Sequence, residues 1–434
     1  MIVDFTVENF KSIKEEQTFS MLASDSKSEH PDNIFPTQKE KNISLLKTGI
    51  IVGANASGKS NLLTAMETFR DFVVNSTDLK VEQEIPYYDP FRLDENCFDK
   101  PAAFEMEFIG RDRTRYKYRV LFDRKEVKSE ELVFYPNKQE ALLFLRERGK
   151  PVKFGSQFKG RKKSIESECL PNTLFLSRAA NSNHQQLKEI YLYFKDNLLF
   201  HTGRDGRKDR TLFTTSQLRG KNGERFKRKL VDFLVAADTG IHSVELEINR
   251  DAFGTRDLYP DRVAETPDRP IYSESFYKPV VYRKIYDGSE ESGVIPFDLK
   301  EESGGTAKLY ALAGKIIAAL ERGCTLIVDE LDNSLHPLIA GYILMLFADP
   351  GTNPDNAQLI AVTHDTNILN PKNIRRDQIW FTARSRQGAT GLFSLDDFDK
   401  NQVRKDTPFD KWYLDGRFGA LPLIDKQLFK IDDQ

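Results

Sequence analysis

Cysteine is scarce in this chain: Cys97, Cys169 and Cys324 are the only three in 434 residues. They are unclustered and lack metal-ligand spacing, which excludes a disulfide-stapled fold and suits a reducing compartment. Long hydrophobic runs are missing too, and none approaches the ~20 residues that a membrane-spanning helix needs. Nor is there an excess of either charge. Lys+Arg number 64 against 66 Asp+Glu, a net charge of −2, so nothing global points to nucleic acid or to a membrane surface. Any such partner would have to meet a local patch. With 25 Gly and 19 Pro the chain has too few of either for a fibrous or disordered class. The opening MIVDFTVENFKSIKEEQ lacks a basic start followed by an apolar segment, so no secretory signal is expected. The expectation is a soluble, cytoplasmic, globular protein.

What is present is an α/β alternation at both ends of the chain. Residues 1 to 75 read as strand IVDFTVENF, a polar connection, strand LLKTGIIVGA and helix SNLLTAMETFRDFVV. From about 100 to 160 the period becomes two, in AAFEMEFIG, RYKYRVLFD, EELVFYP and ALLFLRERG, which predicts antiparallel strands. Helical periodicity returns over 182 to 200 and 224 to 241, followed by short strands such as HSVELEI and KPVVYRKIY. The last third alternates again: helix 305 to 321, strand CTLIVDE, helix HPLIAGYILMLFAD, strand AQLIAVTHD and a hairpin over 377 to 395. One nucleotide-binding domain made from both chain ends, with a long α+β insertion, is the simplest architecture.

Chemistry concentrates in five short stretches. GANASGKS matches G-x-x-x-x-G-K-[ST] at Gly53, Gly58, Lys59 and Ser60, between a strand and a helix. In such a loop the backbone N–H groups face phosphates, Lys59 reaches the β and γ oxygens and the Ser60 hydroxyl ligates Mg²⁺. The candidate nucleotide contacts there are Gly53, Asn55, Ala56, Gly58, Lys59, Ser60 and Asn61. TLIVDE reads as a buried parallel strand ending in two carboxylates: Asp329 to hold the metal, Glu330 to act as general base on the attacking water. An ordinary strand followed by an acidic turn is the plainer reading of that stretch taken alone. His364, in AVTHDT, ends the next strand on the same sheet edge, where an imidazole can orient water. In ESGGTAK, Ser303 can cap a helix while Gly304 and Gly305 present N–H groups at its positive end. One nucleotide seldom needs two anion cradles, which raises the question of whose nucleotide the second one serves.

Together, GANASGKS, ESGGTAK, LIVDE, LDNSLH and TH resemble the Walker A, signature, Walker B, D-loop and H-loop of an ABC-type ATPase head, a P-loop NTPase fold. VENFKSI resembles the first strand of the SMC and RecF heads of that class. The resemblance implies ATP and Mg²⁺ as cofactors and a homodimer or higher oligomer. Ser303 and Gly305 would then act in trans on a neighbour's ATP, with Asp332 monitoring the interface. It also implies a division into residues 1–80, with Walker A; 81–160, antiparallel β; 161–298, an α+β insertion; and 299–434, with the remaining motifs.

A closer resemblance covers nearly the whole chain. AADTGI, ESGGTAKLYALAG, VDELDNSLHPLI, NAQLIAVTHDTNIL, RRDQIWF and YLDGRFGALPLI are similar to the bacterial AAA/ABC-type ATPases of abortive-infection and restriction-linked loci. The RloA, AbiLii and AriA proteins are examples. What this implies is an antiphage ATPase encoded beside an effector, often a Toprim-type nuclease, with a phage protein as a trigger. A RecF- or SMC-like DNA repair ATPase is the alternative.

Four stretches depart from that pattern or lie outside it. YYDPFRLDE (87 to 95) offers no Q-loop glutamine. Two basic stretches, 146 to 163 and 201 to 230, could track nucleic-acid phosphates, although a charge run is usually a solvated face. SLDDFD reads as a solvated acidic loop, because no second acidic cluster accompanies it as metal-dependent nuclease chemistry commonly requires.

Overall fold

The structure is a computed structural model. It describes residues 1–24, 30–37, 39, 43–136, 139–203, 211–248, 277–399, 403 and 407–421.

Two large sheets set the architecture. One has six strands in the order Leu198–His201, Thr325–Val328, Gln358–Val362, Thr48–Gly53, Ile379–Arg384 and Thr390–Ser394. The first five pair in parallel and the last closes a hairpin antiparallel to its neighbour. These parallel strands are short and almost wholly apolar, as strands covered on both faces must be. Their alternate residues divide between two cores. Ile51, Ile327, Ile360 and Val362 face one, while Ile50, Val52, Leu326, Val328, Leu359 and Ala361 face the other.

The first core holds helix Lys59–Asn75, which buries Leu62, Leu63, Met66, Phe69, Phe72 and Val73 on almost every side. Beyond it lies the second large sheet, seven antiparallel strands. Strands Ala102–Ile109, Arg115–Phe122, Val127–Tyr135, Ala141–Glu147 and Lys153–Phe154 join Ile2–Glu8 and Gln17–Ser20 there. The strands read as period-two in the middle of the sequence thus complete a sheet begun by the first residues. An aromatic cluster fills the gap: Phe69 lies 5.5 Å from Phe104 and from Phe194, and 5.6 Å from Tyr118, ring centre to ring centre. Gln358 ties the two sheets through the buried layer. Its Oε1 accepts the Ile2 N–H at 2.7 Å and its Nε2 donates to the carbonyls of Ile2 and Leu46 at 3.0 and 3.1 Å.

The second core packs helices Gly223–Ala236, Gly304–Arg322 and Pro337–Ala348 on the opposite face of the parallel sheet. A three-stranded sheet, Ser243–Ile248, Tyr277–Asp287 and Glu290–Asp298, leads into helix 304–322. The expected helix over 182 to 200 is shorter than its periodicity suggests. It runs Gln185–Asp196, and Leu198–His201 forms the edge strand of the parallel sheet. Four apolar residues after a helix carry no period of their own, and pairing with Thr325–Val328 decides their state.

Candidate functional site

The GANASGKS loop, Asp329, Glu330 and His364 all follow the C-terminal ends of parallel strands, the edge where ligands bind in open α/β folds. Strand Thr48–Gly53 delivers the loop and helix Lys59–Asn75 starts from it. Gly58 adopts φ 103°, and a Cβ there would lie 1.9 Å from Thr390 Oγ1, so only glycine fits. Ala56 is also left-handed, at φ 59°. The Lys59 ammonium is buried and donates to the carbonyls of Gly53 and Ala54 at 2.8 and 2.9 Å. Burial lowers its pKa from the usual lysine value, and the carboxylates of Asp329, Asp332 and Glu330 pull the other way. A cation starved of solvent beside N–H groups of a helix start is well suited to an anionic phosphate. Asn55 is exposed at the loop's outer edge, and Asn61 stands one residue beyond Ser60 in the helix.

Ser60 Oγ donates to Asp329 Oδ1 at 3.1 Å, which brings the two candidate metal ligands to one point. Burial raises the Asp329 pKa above the ordinary carboxylate value, with the Ser60 hydrogen bond and Lys59 opposing. Two hard oxygen donors at one point suit Mg²⁺, which takes oxygen ligands and completes its octahedron with water and phosphate. Among the described residues no cluster of three or more His, Cys, Asp or Glu offers another metal site.

Glu330 follows with its side chain exposed and its backbone left-handed at φ 52°. That conformation is uncommon for glutamate and is held by its surroundings. Lys308 Nζ donates to the carbonyls of Glu330 and Asn333 at 2.5 and 2.7 Å, and Asn333 Nδ2 donates to Glu330 Oε2 at 2.9 Å. Asp332 Oδ1 accepts from Thr363 Oγ1 at 2.7 Å and from the His364 N–H at 3.0 Å. The Asp332 turn and the His364 strand end therefore lie together, with the imidazole in solvent.

Ser303 caps helix Gly304–Arg322, its Oγ accepting the Thr306 N–H at 3.1 Å. A Cβ on Gly305 would stand 2.5 Å from the Ser334 carbonyl, whereas nothing lies within 4 Å of one on Gly304. The helix start is thus packed on the turn at residues 330–334 through Gly305 and Lys308 and open at Gly304. Ser303 makes its hydrogen bonds locally, with Thr306.

Several supporting residues escaped sequence reading. Thr382 Oγ1 lies 2.5 Å from Ser57 Oγ, and Thr390 Oγ1 donates to the Ser57 carbonyl at 2.9 Å. The Ala54 N–H donates to the Ala420 carbonyl at 3.0 Å, which ties the tail motif to the P-loop. The two threonines carry no local signal, because they meet the loop from far along the chain, and the tail motif gives no sign in the sequence of where it docks.

The two basic stretches satisfy part of their charge within the chain. Arg146 donates to the Leu170 carbonyl at 2.8 Å and stands 3.5 Å from Glu130; Arg148 pairs with Glu126 at 2.8 Å and Lys150 with Glu147 at 3.2 Å. Lys229 pairs with Glu321 at 2.6 Å, Lys227 with Glu245, and Arg219 lies over the Tyr277 ring at 4.2 Å. Residues 204–210 of the second stretch lie outside the described residues. In SLDDFD, Asp397 accepts the Ser394 N–H at 2.8 Å as a local cap, in keeping with a simple acidic loop.

Comparison with known proteins gives one family. The model described as "AAA domain, putative AbiEii toxin, Type IV TA system" matches residues 50–370. No curated protein matches the chain. Among solved structures it is similar to the Smc head domain with a coiled coil and joint derived from Pyrococcus yayanosii, at 12% identity over 96% of this chain and 99% of that one, TM-score 0.42. It is similar to the SMC head domain from Thermotoga maritima at 12% identity over 91% and 98%, TM-score 0.36. Its likeness to the recombination mediator protein RecF is 11% identity over 91% and 98%, TM-score 0.33.

Proposed function

Since the chain belongs to that AAA-domain family, we propose that it is an ATP-binding and ATP-hydrolysing ABC-class subunit of an antiphage, abortive-infection type system. The observation that carries the ATPase reading is the meeting of Ser60 and Asp329 at 3.1 Å beside the buried Lys59. A P-loop and a strand-end carboxylate from opposite ends of the sequence there converge on one point.

In this reading the loop from Gly53 to Asn61 cradles the triphosphate, and Lys59 exchanges its carbonyl partners for β and γ oxygens. Ser60 and Asp329 would hold Mg²⁺, which supplies charge neutralisation of the phosphates when bound. Glu330 accepts the proton of the attacking water, and His364 orients that water. Ser303, Gly304 and Gly305 of one protomer cover the nucleotide of another, and Asp332 senses that closure. ATP binding therefore joins protomers and hydrolysis releases them.

The biological output is control of a partner effector, a Toprim-type nuclease encoded nearby, in response to a phage protein in the cytoplasm. Support for that step is the family and the whole-chain sequence resemblance. The domain division at residues 80, 160 and 298 belongs to the same proposal. A DNA-clamping RecF- or SMC-like ATPase that uses the basic stretches on phosphates is the second reading.

Steady-state hydrolysis of ATP with Mg²⁺ tests the proposal. Glu330→Gln is expected to lower turnover by roughly 100-fold or more while nucleotide binding is kept. The same variant, purified with ATP, is expected to retain its effector. Wild-type turnover no faster than that of Glu330→Gln would overturn the enzymatic reading and leave a nucleotide-dependent scaffold.

A further inference from the structure

A chain of hydrogen bonds runs around the outside of the P-loop, and its direction is fixed by proton counting. Thr390 Oγ1 donates to the Ser57 carbonyl at 2.9 Å. A hydroxyl has one proton, so in the 2.8 Å contact between Ser12 Oγ and Thr390 Oγ1 the donor is Ser12. Ser12 Oγ in turn accepts from Asn61 Nδ2 at 2.7 Å. The order is Asn61 to Ser12 to Thr390 to the Ser57 carbonyl, with each hydroxyl giving once and receiving once. It begins in the first turn of the helix and ends inside the loop, bridging Gly58, Lys59 and Ser60. It touches the backbone where the loop turns most sharply: a Cβ on Gly58 would lie 1.9 Å from Thr390 Oγ1 and 2.9 Å from Ser12 Oγ.

Ser12 also belongs to a loop with a second attachment. The Thr390 N–H donates to the Ser12 carbonyl at 2.8 Å on one side. On the other, the Lys11 N–H donates to the Asp89 carbonyl at 2.7 Å, and the Phe91 N–H to Asn9 Oδ1 at 3.1 Å. Asn9 Nδ2 reaches the Lys100 carbonyl at 2.8 Å, and Lys14 pairs with Asp94 at 2.9 Å. The 89–101 segment leads directly into the antiparallel sheet, and part of it is the YYDPFRLDE stretch that carries no glutamine.

We propose that Ser12 and Thr390 are positioning residues of the nucleotide site, forming a hydroxyl belt that holds the P-loop in its phosphate-receiving shape and passes the loop's state to residues 89–101. The proposal rests on the ATP-binding reading above. Phosphates drawing the N–H groups of the loop inward load the Ser57 carbonyl, and the belt carries that load to Ser12 and thence to Asn9 and Lys11.

Thr390→Val removes the hydroxyl at nearly constant volume, Thr390→Ser restores it, and Ser12→Ala breaks the belt one link away. Affinity for a fluorescent ATP analogue with Mg²⁺, KM and kcat, and hydrogen exchange with and without ATP are measured on each. Thr390→Val and Ser12→Ala are expected to bind about tenfold more weakly, with KM raised more than kcat is lowered, and Thr390→Ser to stay within about twofold of wild type. ATP is expected to protect residues 9–14 and 89–101 in wild type and in Thr390→Ser, and not in the two broken variants. Wild-type affinity in Thr390→Val, or ATP protection of 9–14 surviving in both broken variants, would overturn the belt. A wild-type chain that binds no nucleotide would overturn the ATP-binding reading and the belt with it.

Discussion

Single residues carry most of the chemistry, and they differ in how far the sequence discloses them. Lys59, Ser60 and Asp329 are legible because the loop motif and the strand-end carboxylate have only a few spatial solutions, and the structure brings Ser60 and Asp329 together. Thr382 and Thr390 are invisible, because a threonine 333 residues from the serine whose carbonyl it meets leaves no local pattern, and Ser12, although it lies in VENFKSI, gives no sign there of its partner Thr390. Glu330 was legible as a carboxylate but not as a strained one; its φ of 52° follows from contacts with Lys308 and Asn333. Away from the site, Asp4 offers a test of burial itself. Desolvation raises its carboxyl from 3.8 to about 6, Glu107 and Glu105 add to the rise, and the Ser20 hydrogen bond and Arg115 oppose it. The folded chain therefore holds this proton more firmly than the unfolded chain does. The associated stability is present below about pH 4 and is lost as pH rises through about 6. Asp4→Asn is expected to raise unfolding free energy at pH 7.5 by on the order of 1–2 kcal/mol and to change it little at pH 4. Chemical denaturation at the two pH values checks this, and an equal effect at both would contradict it.

Elements are placed by partners that the sequence only half announces. The apolar strands Thr48–Gly53, Thr325–Val328 and Gln358–Val362 were readable from their composition, as was helix 304–322 from its serine cap and its period. Edge strand Leu198–His201 reads in the sequence as the end of a helix, because NLLF fits either state until a neighbour pairs with it. That the period-two strands after residue 100 share a sheet with residues 2–8 could not be read either, since register between distant strands is fixed only by the assembled core. Gln358 makes that junction testable. Its amide satisfies the Ile2 N–H and the carbonyls of Ile2 and Leu46, all buried, and accepts from Thr325 Oγ1 at 3.1 Å. Gln358→Leu leaves these groups unpaired at similar volume and is expected to cost about 2–4 kcal/mol of stability. A denaturation midpoint unchanged from wild type would mean that the two sheets are joined by other means.

At the scale of the whole molecule, the residues proposed as the cis half of a nucleotide site and the exposed Gly304 helix start proposed to cover a neighbour's nucleotide occur in one chain. Open Gly304 and locally bonded Ser303 suit a ligand held by another copy of the chain. The turn at residues 330–333 links these two proposed halves, since Lys308 of helix 304–322 donates to the carbonyls of Glu330 and Asn333. Closure over a neighbour's nucleotide would thus be felt at the general base on the same chain. The measurement that tests this most directly mixes two inactive variants, Lys59→Ala and Ser303→Arg, and follows ATP turnover. Separately each variant spoils every composite site. In a mixed dimer one of the two sites takes its Lys59 from one protomer and its Ser303 from the other, so random exchange is expected to restore about a quarter of wild-type activity. Turnover that stays at the level of the separate variants, with mixed dimers demonstrably formed, would contradict the account.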